Sequence, residues 1–391
     1  MLQKIKNIYH FFVACAASIY YGFPGKDLTV IGVTGTDGKT TTTSLIYHIL
    51  KENGYPVSLI STVSAVIHGK THDTGFHVTN PAPFALQKFL REAVAAKDKY
   101  LVLEVTSHGL DQNRVWGVPF AIGIVTNITH EHLDYHKTYN QYVATKTKLL
   151  NMAKFAIINR DDISYPKIST YCTNTHSATY SRKYDTPHIT VPHHFLGMYN
   201  YENAQAAFLA CHHLGLSQKQ IEKAMETFVF PKGRGEIVYK KEFTVMIDFA
   251  HTPHSFEVLL PVLKKQTKGK LIHVFGSAGK RDETKRPLMG KIASDYDDVI
   301  ILTSEDPRNE NPEHIMAAIE KGIQKKKGLE VYHVSDRKKA IEQAMSMAKK
   351  GDFVVTTGKA HEASINYGHG EEPWDEFAVV QHALQKKGIR V

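Results

Sequence analysis

Cysteine is scarce in this chain. Its 391 residues hold three, Cys15, Cys172 and Cys211, far apart and without metal-ligand spacing. That argues against a disulfide framework and fits a reducing compartment. Long apolar runs are lacking too: the stretch Phe11–Phe23 is too short to span a bilayer as a helix. No internal repeat or low-complexity tract stands out. The formal net charge is +9, but the lysines are spread out and no basic stripe is interleaved with aromatics. A nucleic-acid surface is therefore not expected. The basic balance favours acidic ligands in general, without choosing among them.

The composition is otherwise that of an ordinary globular protein, 42% hydrophobic and 22% charged, and the length suits two or three domains. Met1–Lys6 is basic and precedes the apolar stretch, an arrangement that imitates a signal peptide. A strand is expected at Leu28, only a few residues on. Leu2–Tyr21 is therefore read as an amphipathic helix packed on the next domain. Its character allows attachment to a membrane surface, which is not expected.

Strand-like and helix-like segments alternate almost throughout, the pattern of α/β domains with mainly parallel sheets. Strands are expected at Leu28–Val33, Tyr100–Val105, Ala121–Thr126 and Phe155–Ile158. Helices are expected at Thr40–Glu52, Ala85–Val94, Tyr139–Met152 and Glu202–Leu214. After a charged, glycine-bearing stretch, Pro231–Glu242, a second series begins. Its strands are Thr244–Asp248, Leu271–Phe275, Val299–Thr303, Val331–Val334 and Phe353–Thr356, with a helix at Arg337–Lys349. The expected division is a helical segment 1–26, a central ATP-binding domain 27–232 and a doubly wound, Rossmann-like domain 233–391.

The most informative stretch is Val30–Thr43, VIGVTGTDGKTTTT. An apolar strand runs into a glycine-rich turn, then Lys39, then a threonine run opening a helix. Such a turn surrounds an anion with backbone N–H groups, and the helix N-terminus adds partial positive charge. Gly35, Thr36, Asp37, Gly38 and Thr41 would line the nucleotide, with Lys39 on its β/γ-phosphates and the Thr40 hydroxyl on Mg²⁺. Val33 stands where the strict G-x-x-x-x-G-K-[ST] pattern wants its first glycine, so the loop is a variant.

Further polar clusters follow strand ends, where ligand crevices of open α/β sheets lie. Leu103–Arg114, LEVTSHGLDQNR, places Glu104 at a strand edge as a candidate magnesium ligand, although a carboxylate there can equally be plain surface. Ser107, Gln112 and Arg114 offer hydrogen bonds to an anionic substrate. Thr126–His136, TNITHEHLDYH, holds three histidines without the further ligands a soft metal needs; His132 beside carboxylates suits Mg²⁺ better. Asn127 opens the same loop. Lys146 and Lys148 face different sides of one helix, and composition alone reads both as exposed. Four more polar loops, DFAHTP, GSAGKRDETKRPLMG, SEDPRNENP and GKAHE, follow four strands of the second series and imply a crevice shared with the ATP loop.

As an ordered set these motifs resemble the Mur ligases, the ATP-dependent amide-forming enzymes of peptidoglycan synthesis, and most of all their tripeptide-synthetase branch. The resemblance runs from about Leu28 to Leu384. It implies a carboxylate–amine ligase using ATP and Mg²⁺ in the cytoplasm, with a muramoyl-peptide donor and an amino-acid acceptor. By residue, it implies that Lys39 and Thr40 hold phosphate and Mg²⁺, and that Glu104 and His132 bind magnesium. It implies that Lys146 is carbamylated and serves the metal, which reverses the reading from composition. Thr79, Asn80, Ser107, Gln112 and Arg114 match donor-binding positions. Arg234 and His251 match nucleotide contacts. Arg286, Asp306, Arg308, Gly358 and Glu362 match the acceptor pocket.

Asp37, Glu131, Asp306 and Ala360 replace the family's usual Asn, Asp, Asn and Gly. Only about 27 residues precede the first strand, where the family carries a uridine-binding domain, so the donor's carrier group is open. Arg308 suits the distal carboxylate of meso-diaminopimelate, whereas Asp306 would suit the ammonium of lysine. Alternatives are a ligase on a non-UDP donor, like folylpolyglutamate synthetases or MurT-like enzymes, and an inactive nucleotide-binding partner.

Overall fold

In the computed structural model, residues 2–72, 80–183 and 188–389 are described. The chain divides into two compact units, Met1–Thr129 with His136–Pro231, and His130–Tyr135 with Lys232–Val391.

The first unit is built on one sheet of strands β1 (Thr29–Thr34), β2 (Val57–Ile60), β3 (Ala65–Ile67), β4 (Lys70–His72), β5 (Tyr100–Glu104), β6 (Phe120–Val125), β7 (Phe155–Asn159) and β8 (Ser177–Tyr180). Their order is β4-β3-β2-β5-β1-β6-β7-β8. Strands β2, β5, β1, β6, β7 and β8 run parallel, and β3 and β4 add an antiparallel edge. Central β1 pairs Val33 with Glu104 on one side and with Ile124 on the other. Its Val30, Ile31 and Val33 are fully buried, as expected for a parallel strand covered on both faces.

The helices of this region are α1 (Leu2–Tyr20), α2 (Lys39–Glu52), α3 (Pro83–Ala95), α4 (Ser107–Asp111), α5 (Leu133–His136), α6 (Tyr139–Met152), α7 (Tyr165–Tyr171), α8 (Met198–His213) and α9 (Gln218–Glu226). Helix α2 opens with four β-branched threonines, poor helix formers. Tertiary packing overrides that preference: all four are buried, and the Thr43 hydroxyl donates back to Lys39 O at 3.0 Å. The opposite face of α2 packs Leu45, Ile46, Ile49 and Leu50 into the core.

Helix α1 lies on the first unit. Ser18 Oγ donates to Ala14 O, and Gln87 Nε2 donates to Ser18 Oγ at 3.1 Å. Asn7 Nδ2 donates to Asp111 Oδ2 at 2.8 Å, and the Phe11 ring meets Trp116 edge-on.

In the second unit β9 (Glu236–Lys240), β10 (Thr244–Ile247), β11 (Leu271–Phe275), β12 (Val299–Leu302), β13 (Glu330–His333) and β14 (Phe353–Thr356) form a sheet in the order β13-β12-β11-β14-β10-β9. Strand β9 is antiparallel and the rest are parallel. Helices α10 (Pro253–Gln266), α11 (Lys285–Tyr296), α12 (Pro312–Glu320), α13 (Arg337–Met347) and α14 (Glu376–Lys386) accompany it, with a hairpin of β15 (Ser364–Asn366) and β16 (Glu371–Pro373). The α/β class expected from the sequence is borne out. The charged stretch Pro231–Glu242 was not expected to hold a strand; it supplies the edge strand β9.

Candidate active site

The turn between β1 and α2 is shaped by its neighbours. Gly38 caps α2 at φ 79°, and a Cβ there would lie 2.3 Å from Asn203 Oδ1. Only glycine suits both demands. Among the described residues no side chain caps α2, so its first N–H groups face the turn. Asp37 N donates to Asn127 Oδ1 at 2.9 Å, and the Thr126 hydroxyl donates to Asp37 O at 2.7 Å. Thr36 N donates to Asn127 O, and the Thr36 hydroxyl lies 3.2 Å from the Tyr142 hydroxyl. Lys39 folds back to donate to Thr36 O at 2.9 Å. Thr41 is buried in the first turn of α2. The result is an anion cradle with a lysine across it.

Glu104, the last residue of β5, is buried beside this cradle. The Thr40 hydroxyl donates to its Oε2 at 3.0 Å; Thr62 donates from its N at 3.0 Å and from its hydroxyl at 2.8 Å. Buried hydroxyl and carboxylate oxygens next to a phosphate cradle fit magnesium, a hard cation that keeps oxygen ligands and shares them with phosphate. Among the described residues no three His, Cys, Asp or Glu side chains gather into a metal cage.

Lys146 on α6 is buried, its Nζ donating to Gly35 O at 2.5 Å and lying 4.7 Å from the centre of the Tyr142 ring. Lys148 points elsewhere, half-exposed and 3.8 Å from Asp111. The two lysines do face different sides, and Lys146 is not the exposed residue that composition implied. His136, the last residue of α5, is held neutral: burial, then the Lys146 charge, pushes its pKa down to about 4.

Asn80 ties the next loop to β5. Its Nδ2 donates to Glu104 O at 2.8 Å, and its Oδ1 accepts from Thr106 N and hydroxyl. Arg114 donates to Asn80 O at 3.0 Å and to Gln112 Oε1 at 2.9 Å. Ser107 is buried as the first residue of α4. Thr79 lies outside the described residues. His132 stands at φ 56° in the segment His130–Tyr135, which groups with the second unit.

In the second unit the polar loops follow β10, β11, β12 and β14. The Arg234 guanidinium stacks 4.4 Å from the Phe249 ring centre, and His251 and His361 each lie 4.7 Å from that ring. Burial first, then the Arg234 charge, pushes His361 down to about 3. Asp306 is engaged: its Oδ1 accepts from Lys359 Nζ at 3.0 Å and from Asn366 N at 3.0 Å. Lys359, fully buried, also donates to Glu362 at 2.5 Å. Arg308 adopts φ 53° and Gly358 φ 98°. A Cβ on Gly358 would press on the Glu305 carboxylate.

Arg286, expected in the acceptor pocket, is buried on α11 and donates in bidentate fashion to Glu310 at 2.6 and 2.8 Å. Arg281, which sequence reading passed over, feels the charge of Arg308. Burial lowers its pKa first and the Arg308 charge next. Sequence reading also missed Glu305, whose carboxyl burial pushes up to about 7, and Thr62 and Tyr142. A buried clasp went unseen as well. Arg337 donates to Glu376 at 2.9 and 2.6 Å, to Thr357 O at 2.8 Å and to Ser304 O at 3.3 Å. Trp374 Nε1 also donates to Glu376 Oε2, at 2.9 Å. One guanidinium thereby joins the ends of β12 and β14, whose loops carry Asp306, Arg308, Gly358 and Glu362.

Comparison with known proteins gives these motifs a context. Residues 33–211 match the Mur ligase middle domain, and residues 233–360 match the "Mur ligase, glutamate ligase domain". A UDP-N-acetylmuramoyl-L-alanyl-D-glutamate–2,6-diaminopimelate ligase of Clostridium botulinum is 38% identical, covering 96% of this chain and 81% of its own. A UDP-N-acetylmuramyl-tripeptide synthetase of Borreliella burgdorferi is 37% identical over 95% of this chain and 80% of its own. A solved diaminopimelate-adding ligase of the first name superposes with TM-score 0.61 at 29% identity, covering 93% of this chain and 79% of its own. A Mycobacterium tuberculosis folylpolyglutamate synthase, solved with ADP, reaches TM-score 0.72 at 17% identity over 93% and 95%. The last shows the fold alone.

Proposed function

The chain belongs to the Mur ligase family, and we propose that it joins diaminopimelate to a UDP-N-acetylmuramoyl-L-alanyl-D-glutamate-like donor. Membership makes it an ATP-dependent, amide-forming ligase of peptidoglycan synthesis. In the proposed reaction the donor's terminal carboxylate attacks the γ-phosphorus of ATP, and ADP leaves. The acceptor amine then attacks the acyl phosphate, loses a proton, and expels phosphate from a tetrahedral intermediate. Lys39 and the uncapped start of α2 bind the β/γ-phosphates and offset their charge. Thr40, Glu104 and His132 would hold magnesium, which when bound neutralises charge on the transferred phosphoryl group. Lys146 is assigned the carbamate that the family resemblance implies; its burial against Gly35 O puts it beside the cradle. Asn80, Ser107, Gln112 and Arg114 hold the donor. Arg234 and His251, grouped around Phe249, hold the nucleotide. The chemistry places the protein where ATP is abundant, in the cytoplasm.

One observation carries the choice of acceptor. Asp306, the residue that would attract a distal ammonium, already accepts from Lys359 and Asn366 N. Arg281 feels the charge of Arg308 and, more weakly, that of Asp306, so two guanidinium groups share this part of the second unit. Two guanidinium groups suit a distal carboxylate and repel the side chain of lysine.

The test is ADP release with UDP-N-acetylmuramoyl-L-alanyl-D-glutamate, offered meso-diaminopimelate, lysine or no amino acid. Turnover that needs both the donor and diaminopimelate is expected. Preference for lysine would overturn the acceptor, and turnover confined to a donor lacking the uridine nucleotide would overturn the carrier. A folate-directed ligase is disfavoured, because its structural likeness extends only to the fold and Lys39 is followed by Thr-Thr.

A further inference from the structure

Helix α1 has two apolar faces, and the first unit uses one. Ala14, Ala17 and Ser18 are buried against it. The opposite side leaves Ile8 57%, Tyr9 66%, Phe12 65%, Ile19 67% and Tyr20 75% exposed. At about 100° per residue these five and Ala16 fall within an arc of roughly 120°, a full outward stripe. No charged residue falls in that arc. The stripe continues onto α3: the Tyr20 ring meets Phe84, itself 43% exposed, at 6.1 Å. Lys88 and Arg91 follow Phe84 at one and two turns and are exposed, Lys88 lying 3.7 Å from Glu92 on the same helix, and Lys6 is exposed at the stripe's edge. Helix α1 contains no acidic residue.

A surface helix ordinarily turns its polar side to water, so an outward stripe of this size marks an interaction face. We propose that the α1–α3 face docks on an anionic lipid surface. Two observations favour lipid over a second copy of the chain. The flanking cations are complementary to anionic headgroups, and two copies face to face would bring those cations together. The stripe is rich in aromatics, with Tyr9 and Tyr20 at its margin, the composition that settles at the headgroup boundary. No helix among the described residues is long and apolar enough to cross a membrane, so α1 would lie in the surface plane. Sequence reading left this contact unexpected because apolar residues surround the helix; the structure shows which of them the protein core consumes.

The experiment is co-sedimentation of the full chain with vesicles of phosphatidylcholine alone, or of equal parts phosphatidylcholine and phosphatidylglycerol. Arg91 and Lys6, with Lys88 offset by Glu92, should favour the anionic vesicles by roughly thirtyfold. Phe12→Asp should weaken binding at least about tenfold. Lys88→Gln with Arg91→Gln should weaken it on anionic vesicles only. All these variants should keep ATP-dependent turnover of soluble substrates and an unchanged circular dichroism spectrum. Absence of sedimentation with either vesicle, or equal binding to both, would overturn the proposal. So would a concentration-dependent dimer abolished by Phe12→Asp, which would assign the face to a second copy.

Discussion

Replacing Arg337 by Met is the most telling perturbation of the second unit. Arg337 and Glu376 are both fully buried. Without the guanidinium, Glu376 keeps the Trp374 N–H but loses its cation, and Ser304 O and Thr357 O lose a donor. Breaking one side of such a buried pair costs about 3–5 kcal/mol. Replacing both partners, Arg337→Met with Glu376→Leu, removes the stranded charge and leaves only the two carbonyls and the indole N–H short of a partner. At about 1 kcal/mol each, the double variant should lose near 3 kcal/mol, no more than either single one. The chain has two tryptophans, Trp116 in the first unit and Trp374 in the second. In a Trp116→Phe background, urea unfolding followed by Trp374 fluorescence therefore reports the second unit. A double variant destabilised by the sum of the two singles would refute the reasoning, as would a single-variant loss under about 1 kcal/mol. The milder Arg337→Lys keeps the charge but loses the fork. It should raise KM for the acceptor and leave KM for ATP unchanged, because the clasp joins the loops proposed to hold the acceptor.

Lys146→Ala should abolish ADP release while Lys148→Ala stays near normal, since only Lys146 is buried at the cradle; equal losses would undo the assignment. Gly38→Ala forces a Cβ onto Asn203 Oδ1 and a strained positive φ, so it should lower thermal stability and weaken ATP binding measured by calorimetry. The Glu305 carboxyl titrates near 7 in the fold against 4.5 for the ordinary group. Its raised pKa means a contribution fully present below 4.5 and lost as pH rises through 7, up to about 3 kcal/mol. Glu305→Gln should then gain stability over the parent between pH 5 and 8, read as melting temperature against pH; parallel curves would sink this. His361 is the opposite case, with its pKa depressed to about 3. Stability that depends on it is present above about 6.5 and lost as pH falls through 3, so His361→Gln should blunt the acid limb of the same curve.

Much of the fold was legible because parallel strands buried on both faces are written as continuous apolar runs. LTVIGV, YLVLEV and FVVTT each precede a polar loop, and each became a central strand. Short antiparallel pieces carry no such signature. β3, β4 and the β15–β16 pair are three residues each, and the register of their neighbours defines them more than their composition does. The turn proposed to hold phosphate was legible because it is local, built from the seven consecutive residues Gly35–Thr41. Thr62 and Tyr142 come from distant segments, and only the folded sheet brings them to Glu104 and Thr36. Arg281 and Arg286 sit five residues apart in one basic stretch. No pattern ranks them, because the ranking depends on Glu310, which reaches Arg286 from the loop after β12.

Strand order has a consequence for synthesis on the ribosome. β1 is translated before both of its partners, yet it occupies the centre of its sheet, between β5 at residues 100–104 and β6 at residues 120–125. At typical elongation speeds its edges wait roughly 5–20 s for partners. During that interval TVIGV is an unpaired apolar strand with helix α2 as its immediate neighbour in sequence. The turn between β1 and α2 is thus made early but completed late, since Glu104 and Asn127 arrive with the strands that flank it. A nascent chain should gain no protection from nucleotide until about residue 130 has cleared the exit tunnel, and the first unit's vulnerability to aggregation is concentrated before that point.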